Sequence, residues 1–274
     1  MSAKKKHTTP KKPPAGRRPP LRVMTTTHWE YPSQHYNSPG GSGMQGDKSY
    51  AGATPSWVIW QLLSRYTREG DNVLDPMCGS GTTFDVCRDL KRHALAYDLQ
   101  PQRPMITLAD ARELPVEDNS VDFYFVDPPY STHIEYSDDP RCIGKLDSGG
   151  PDGGEAYYAA MEQVIAEAHR VLKDRRYMAL YVSDSFKKGK PFMPIGFELF
   201  ARLQERFKPV DIISVVRHNA KLTRGNWHKA AREGNYFLRG FNYCFIMKKE
   251  DDAAPQRKKA QARKKIVKKA NRKK

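Results

Sequence analysis

The chain has 274 residues, of which 38% are hydrophobic, enough for one sizeable domain with a buried core. Its net charge of +16 is concentrated at the ends, because residues 1–22 carry +8 and residues 251–274 carry +9, which leaves −1 for residues 23–250. No stretch reaches the roughly 18 apolar residues of a membrane span, and the start lacks the apolar region of a signal peptide. We therefore expect a balanced, enzyme-like domain between two disordered basic arms that bind a polyanion, with nucleic acid as the best candidate.

The four cysteines show no metal-binding or disulfide pattern. They stand at positions 78, 87, 142 and 244, with neither a C-x-x-C pair nor a Cys/His spacing. We therefore predict no zinc site, no other metal and no disulfide framework, which is typical of a reduced compartment. The expected location is cytoplasmic or nucleoid-associated, with the nucleus as an alternative.

Strands and helices alternate along residues 54–249 in the manner of an α/β domain. An irregular segment, residues 29–50, precedes them, and its aromatic residues are expected to pack over the core. Thr54 and Pro55 are predicted to start the first helix, as N-cap and first helical residue. The predicted strands are 72–75, 94–98, 106–110, 120–127, 177–184, 210–216 and 241–247, and the predicted helices are 54–70, 84–90, 155–172 and 196–207.

A glycine turn follows the first predicted strand and opens a helix. In Asp75-Pro-Met-Cys-Gly-Ser-Gly-Thr-Thr83 the two glycines let the backbone approach a ligand closely, and the helix start offers N–H groups. Asp98 ends the next strand nineteen positions after Gly79, the spacing of a carboxylate that accepts bonds from ribose hydroxyls. Asp110 closes the third strand. These features favour a nucleotide-like ligand, while an ordinary tight connection is the alternative.

The short link between the second and third strands is unusual. Only residues 99–105 separate them, whereas parallel neighbours usually need a crossover of about a dozen residues. The customary helix is therefore predicted to be missing or replaced by an extended link.

Asp127-Pro-Pro-Tyr130 ends the most apolar strand of the sequence. The two prolines cannot continue a strand and donate no backbone hydrogen bond, so the carboxylate and the carbonyls form a stiff edge of acceptors. Such an edge suits a substrate that donates N–H bonds, and open α/β sheets bind ligands at this end of their strands. A plain turn is the alternative interpretation.

Two loops are candidates for contact with nucleic acid, residues 131–154 and 217–240. The first is long and polar. The second holds six Lys or Arg against one Glu, with aromatic residues between them, a combination that suits nucleic acid, although a solvated connection is the alternative. Its candidate contact residues are Arg217, Lys221, Arg224, Trp227, Lys229 and Arg239.

The glycine turn and the Asp-Pro-Pro-Tyr motif together resemble the S-adenosylmethionine-dependent DNA amino-methyltransferases, which modify adenine N6 or cytosine N4. The Thr54-Pro55 helix and the segment Arg239 to Lys249 match the same family, so the resemblance spans residues 50–249. It implies a Rossmann-like methyltransferase fold, with helices on both faces of a seven-stranded, mostly parallel sheet and one reversed edge strand.

The resemblance also implies roles for individual residues. Asp127 and the Pro128 carbonyl would hold the amine of a flipped base, in duplex or single-stranded DNA, while Tyr130 stacks on the base; the catalytic set is Asp127, Pro128, Pro129 and Tyr130. S-adenosylmethionine would lie against the glycine turn, Asp98 would bind the ribose, and Asp110 with Ala111 would read the adenine. The full cofactor set is Thr54, Pro55, Asp75, Pro76, Met77, Cys78, Gly79, Ser80, Gly81, Thr82, Asp98, Leu99, Asp110 and Ala111.

Besides the missing crossover between the second and third strands, the sequence departs from the family in two respects. Met77-Cys78 stands where a tyrosine is expected, and there is no separate target-recognition domain, so the two loops would have to read the site. Asp at the first position of the tetrapeptide favours adenine N6, and cytosine N4 is the alternative. An RNA base N-methyltransferase and a non-catalytic nucleoid protein are the other two readings of the sequence.

Overall fold

The computed structural model describes residues 18–39, 43–47, 49–186, 191–218 and 222–251. The strands are β1 (His28–Trp29), β2 (Asn72–Asp75), β3 (His93–Asp98), β4 (Thr107–Leu108), β5 (Val121–Val126), β6 (Leu172–Val182), β7 (Lys208–Val216) and β8 (Phe241–Lys248). The α-helices are α1 (Ser56–Tyr66), α2 (Thr82–Asp89), α3 (Glu155–Val171), α4 (Ile195–Gln204) and α5 (Gly225–Glu233).

All the strands join one mixed sheet in the order β1-β7-β8-β6-β5-β2-β3-β4. Every neighbouring pair is parallel except those that involve β8, which runs antiparallel to β6 and β7. The predicted fold class is confirmed, with two corrections. The sheet has eight strands because the two-residue β1 adds to the edge beside β7, and the reversed strand lies inside the sheet, where both of its faces are covered.

Both faces of the sheet are packed. The inner strand β5 is buried along its whole length, with Phe123 and Phe125 on one face and Tyr124 and Val126 on the other. Helices α3 and α4 cover the second of these faces, while α1 and the aromatic N-terminal segment cover the first. A strand buried on both sides reads as a continuous apolar run, which is why the sequence pattern located β5 correctly.

The predicted absence of a crossover helix between β3 and β4 is confirmed. Residues 99–106 form bends and turns, and β4 is a two-residue strand at the sheet edge with both residues exposed. The end of β3 is therefore not covered by a helix, which leaves Asp98 and Asp110 close to an open edge.

The irregular N-terminal segment packs on the core as expected, since Trp29, Tyr31 and Tyr36 are at most 4% exposed. Contact with the domain begins before residue 23, because the Tyr31 hydroxyl donates to the Pro19 carbonyl at 2.7 Å and Leu21 packs against the same cluster. The predicted disorder of residues 1–17 and 252–274 concerns parts of the chain outside the described residues.

Two local predictions need correction. Helix α1 begins at Ser56 with Pro55 at its N-cap, and the Thr54 hydroxyl caps no backbone N–H. The loop predicted over residues 217–240 contains α5, a helix whose single buried residue is Ala231, so that it has almost no apolar stripe for a sequence pattern to detect. In the described ranges, no helix has the length and apolar character needed to cross a membrane.

Candidate active site

The glycine turn between β2 and α2 is held from within by Asp75. Its carboxylate accepts the backbone N–H of Met77 at 3.0 Å and the hydroxyl of Thr83 at 2.5 Å. Burial raises the pKa of Asp75 to about 7, against the opposing effect of these two bonds. The carboxylate therefore fixes the shape of the turn from within.

A side chain at either glycine of the turn would collide with a neighbouring residue, and the neighbour differs between the two positions. Both have positive φ, +51° at Gly79 and +85° at Gly81. A Cβ at Gly79 would lie 2.8 Å from the ring of Tyr50, and one at Gly81 would lie 2.7 Å from the guanidinium of Arg103. Arg103 in turn forms a bidentate pair with Asp85 in α2, at 2.7 and 3.1 Å. The turn is thus enclosed between an aromatic ring and an ion pair.

A cleft of about 840 Å³, counting the solvent at its mouth, opens beside this turn at the carboxyl ends of β2, β3 and β5. We call it the cofactor pocket. Twelve of the fourteen residues predicted for the cofactor line it: Thr54, Asp75, Pro76, Met77, Cys78, Gly79, Ser80, Thr82, Asp98, Leu99, Asp110 and Ala111. The other two do not line it, because Pro55 faces a second cavity and Gly81 is the N-cap of α2, next to Arg103.

Sequence reasoning missed one side of this pocket. Tyr50, Gly52 and Ala53 come from the irregular segment before α1, and Tyr136, Ser137, Cys142 and Ile143 come from the long polar loop. The rings of Tyr50 and Tyr136 are 6.4 Å apart, so the two segments meet across the pocket mouth. The sequence offered two signals for these segments. One was the number of aromatic residues before α1 in a region without periodicity, and the other was the length of loop 131–154, which was predicted to contact nucleic acid.

The polar groups of the pocket fit an adenosine that carries an amino-acid side arm. Ser80 lines the pocket, and its Oγ is buried without a hydrogen-bond partner in the described structure. Asp98 accepts the N–H of Gly79 at 2.8 Å and of Gln100 at 2.9 Å, and burial raises its pKa despite these bonds. Burial also acts on Asp110, but hydrogen bonds from Arg112 outweigh it and lower the pKa of that carboxyl. The pocket therefore offers carboxylate and hydroxyl oxygens to hydroxyl and amine donors.

Asp127 follows β5 directly and is held by two hydroxyl groups. The Tyr130 hydroxyl donates to Oδ1 at 2.7 Å, and the Thr54 hydroxyl donates to Oδ2. Burial raises the pKa of Asp127 to about 7, opposed by these two bonds and by the positive charge of Arg217. A carboxyl group with such a pKa changes its charge near neutrality, which suits a group that has to bind and release protons.

The rest of the tetrapeptide is divided between two cavities. Pro128 is buried and lines neither, while Pro129 lines the cofactor pocket and its carbonyl accepts the Tyr157 hydroxyl at 2.8 Å. Tyr130 lines the second cavity, and its hydroxyl also accepts the Asn242 side-chain amide at 3.1 Å. Asn242, which the sequence did not indicate, thus reaches Asp127 through Tyr130.

The second cavity is a wide, open groove next to the cofactor pocket; we call it the outer groove. Its walls come from the N-terminal segment, the polar loop after Tyr130, the ends of β6 and β7, and the region of α5. Five residues line both cavities: Tyr50, Gly52, Ala53, Asp127 and Tyr136. Asp127 is the only one of them with an ionisable carboxyl group, and it stands where the two cavities meet.

The candidate nucleic-acid residues divide into three groups. Arg217, Trp227 and Arg239 line the outer groove. Arg224 and Lys229 do not line it, and Lys229 lies 3.7 Å from Glu233 within α5. Lys221 is outside the described residues. Across the described ranges, no cluster of His, Cys, Asp and Glu is arranged to hold a metal ion.

Comparison with known proteins identifies the family, and the solved structures described below are distant likenesses. No curated protein sequence matches the chain at a significant level. A solved candidate DNA modification methylase of Thermus thermophilus, TTHA0409, is 19% identical, with a TM-score of 0.38 over 52% of this chain and 51% of its own. TrmN from Thermus thermophilus is also 19% identical, with a TM-score of 0.46 over 73% of this chain and 50% of its own.

A SAM-dependent methyltransferase from Methanosarcina mazei is 14% identical, with a TM-score of 0.44 over 69% of this chain and 98% of its own. This chain spans about half the length of the two Thermus proteins. Likenesses as distant as these carry no argument about the substrate.

The family model for N6/N4 methyltransferases, described as DNA methylase, matches residues 2–107 and 121–274, which is most of the chain. Both parts of the described site, the glycine turn and the Asp-Pro-Pro-Tyr edge, lie within the matched ranges. The chain therefore belongs to the DNA methylase family, whose methyl donor is S-adenosylmethionine.

Proposed function

We propose that the protein transfers a methyl group from S-adenosylmethionine to the exocyclic amine of a base in DNA, with adenine N6 as the favoured acceptor. The observation that carries the proposal is the position of Asp127, which lines both the cofactor pocket and the outer groove. A group that touches both spaces can hold an acceptor from the groove against a donor in the pocket. A DNA substrate implies a cytoplasmic or nucleoid-associated location.

The cofactor would be held by the residues of its pocket. Asp98 would accept the ribose hydroxyls, Asp110 with Ala111 would contact the adenine, and the glycine turn with Ser80 would hold the methionine arm. The sulfonium of the bound cofactor supplies an electrophilic methyl group. Tyr50 and Tyr136, which meet across the mouth, would exclude water from the reacting atoms.

Asp127 would orient the amine. The lone pair of an exocyclic amine is delocalised into the ring, so the nitrogen is a poor nucleophile in its planar form. In its ionised form the Asp127 carboxylate accepts an N–H bond and favours the pyramidal nitrogen that develops as the methyl group is transferred. Thr54 and Tyr130 fix the carboxylate for this purpose.

The same carboxylate would also dispose of the proton. Transfer forms a C–N bond and breaks the S–C bond, which leaves a positive charge on the nitrogen until one of its protons departs. A carboxyl group whose pKa is about 7 can take that proton and pass it to solvent at neutral pH. No metal and no covalent enzyme intermediate are required by this scheme.

Cytosine N4 is the closest alternative acceptor, and the choice of adenine rests on the aspartate at the first position of the tetrapeptide. An RNA base amine is a second alternative, since the same tetrapeptide occurs in enzymes that act on guanosine N2 or adenosine N6. A non-catalytic nucleoid protein is the third. None of the described contacts of Asp127 depends on the kind of base.

Nucleoside mass spectrometry after incubation with S-adenosylmethionine tests the proposal. We expect N6-methyladenine in DNA, none in the same DNA treated with Asp127→Asn, and little transfer to total RNA. Asp127→Asn keeps the size of the side chain and removes the charge. N4-methylcytosine alone would replace the adenine assignment, transfer to RNA alone would replace DNA, and wild-type turnover by Asp127→Asn would refute the proposed mechanism.

A further inference from the structure

The exposed phenylalanines of the described ranges come from two neighbouring segments. In the described part of the chain, the phenylalanines that are at least 36% exposed are Phe186, Phe192, Phe197, Phe237 and Phe241. All of them come from two segments, residues 184–197 and 236–241. Soluble proteins rarely leave a contiguous apolar patch uncovered unless it binds something.

Ring contacts join these segments into one surface. The rings of Phe186 and Tyr236 stack at 4.8 Å. Phe197, at the start of α4, and Phe241, at the start of β8, both pack on Tyr243, at 5.9 and 5.0 Å. We call Phe192, Phe197, Phe241 and Tyr243 the aromatic shelf.

The shelf is continuous with the outer groove. Arg239 lines the groove and lies over the ring of Phe192 at 5.0 Å. Asp184, also a lining residue, accepts the Tyr243 hydroxyl at 3.0 Å. Phe186, Tyr236 and Phe237 form part of the groove wall itself. An extended ligand, such as a nucleic-acid strand, that leaves the groove on this side would therefore contact the exposed rings directly.

A cation and a carboxylate both lie beside the shelf: Arg239 over the ring of Phe192, and Asp184 at the hydroxyl of Tyr243. Arg239 Nε is buried and has no hydrogen-bond partner, and among the described residues no carboxylate forms an ion pair with this side chain. In the sequence, residues 184–192 carry three lysines and Asp184, a net charge of +2, and residues 217–240 carry a net charge of +5. An unpaired guanidinium next to ring faces is suited to a phosphate that is followed by a base.

We propose that the aromatic shelf binds unpaired nucleotides next to the target base, with their bases stacked on Phe192, Phe197 and Phe241 and a phosphate held by Arg239. The flat faces of paired bases are covered by their neighbours in a duplex, so exposed protein rings can stack only on bases that are out of the helix. The inference rests on the proposed function and specifies its substrate as a strand that is unpaired around the target. It also assigns a part of recognition to Phe192, Phe197 and Phe241, which lie outside the predicted contact loops 131–154 and 217–240.

The test compares binding of one DNA sequence in three forms: single-stranded, fully duplex, and duplex with a mismatched bubble around the target. Fluorescence anisotropy at fixed salt should show that the single strand and the bubble bind at least about tenfold tighter than the duplex. Replacing Phe197 and Phe241 together by Ala should weaken binding to the single strand by about tenfold or more, since one lost stack corresponds to such a factor. Affinity for the duplex should stay unchanged.

Two control variants separate stacking from other effects. Phe197→Tyr with Phe241→Tyr keeps the rings and should retain affinity for the single strand. Leu108→Ala removes an apolar side chain that is 61% exposed at the opposite edge of the sheet, and it should have no effect. Both phenylalanines of the test variant are exposed, at 67% and 41%, so it is expected to fold, which thermal melting verifies.

The proposed role of the shelf would be refuted by equal affinity for duplex and single-stranded DNA. Unchanged affinity for the single strand after loss of both rings would refute it as well. The proposal would also be refuted if the Phe→Ala variant converted a dimer of the protein into monomers without weakening DNA binding. The rings would then form an interface between two copies of the chain. Methyl transfer is measured separately. If the wild type and the variant that lacks both phenylalanines methylate DNA equally well and bind the single strand equally well, only the proposal for the shelf is refuted. Wild-type protein that binds single strands through the rings but methylates no nucleic acid refutes only the catalytic proposal.

Discussion

The hydroxyl of Thr54 donates a hydrogen bond to the carboxylate of Asp127, across 73 positions of sequence. Thr54 lines the cofactor pocket, while Asp127 also faces the outer groove. A residue predicted to cap a helix and contact the cofactor therefore lies against the proposed catalytic group. Through this bond, a residue of the cofactor pocket lowers the pKa of Asp127 and so favours its ionised form.

Replacing Thr54 by Val should shift the pH dependence of methyl transfer upward. Burial already raises the pKa of Asp127 to about 7, and the bond from Thr54 opposes that rise, so its loss raises the pKa further. Because the ionised carboxylate is the form that holds the amine, the rate should increase with pH through about 7 in the wild type and through a higher range in the variant. Single-turnover rates between pH 5 and 9 measure the shift. Thr54→Ser restores the hydroxyl and should restore the profile; a Val variant with the wild-type profile would contradict the coupling.

Asn242 is expected to act on Asp127 only through Tyr130. Its amide donates to the Tyr130 hydroxyl at 3.1 Å, and that hydroxyl donates to Asp127 at 2.7 Å. Tyr130→Phe removes a hydrogen bond to a charged group and should raise the activation free energy of methyl transfer by about 1.5–3 kcal/mol. Asn242→Ala removes a hydrogen bond between neutral groups and should raise it by about 0.5–1.5 kcal/mol. The double variant should be no slower than Tyr130→Phe alone, because both changes break the same chain of bonds. Turnover measurements on the three variants give the result, and fully additive losses would show that Asn242 acts by another route.

Gly79→Ala should abolish tight cofactor binding. The added Cβ would lie 2.8 Å from the ring of Tyr50, in a backbone conformation with φ of +51°. Gly70→Ala provides a matched control, because Gly70 also has positive φ, at +82°, but has no atom within 4 Å of the added Cβ. Both variants should lose about 1 kcal/mol of stability from backbone strain, while only Gly79→Ala should weaken S-adenosylhomocysteine binding, by more than tenfold in calorimetry. Equal affinities of the two variants for S-adenosylhomocysteine would show that the contact between Gly79 and Tyr50 does not shape the cofactor site.

The parts of the site that the sequence revealed are those that local chemistry determines. Strand ends, a glycine turn and Asp127-Pro-Pro-Tyr130 follow from apolar runs and from the backbone properties of Gly and Pro. The contacts made by Tyr50, Tyr136 and Asn242 depend on tertiary packing between segments that are distant in sequence, and two of these segments are irregular. For the same reason the position of β8 within the sheet was not predicted, since an apolar strand has the same pattern at an edge and in the interior.

Removing residues 253–274 should weaken DNA binding and reduce its salt dependence without abolishing turnover. This segment carries eleven Lys or Arg and no acidic residue, so each phosphate that it contacts releases counterions and steepens the decrease of affinity with salt. The truncation starts beyond Asp251 because the backbone N–H of that residue donates to Asp174 at 3.1 Å, within the folded domain. Binding constants measured between 50 and 300 mM salt give the slope, and a Gly/Ser tail of equal length controls for the loss of chain. At low salt the truncated protein should retain its rate, because every residue of the cofactor pocket lies before position 144. Loss of cofactor binding on truncation, or an unchanged salt slope, would show that the tail has a different role.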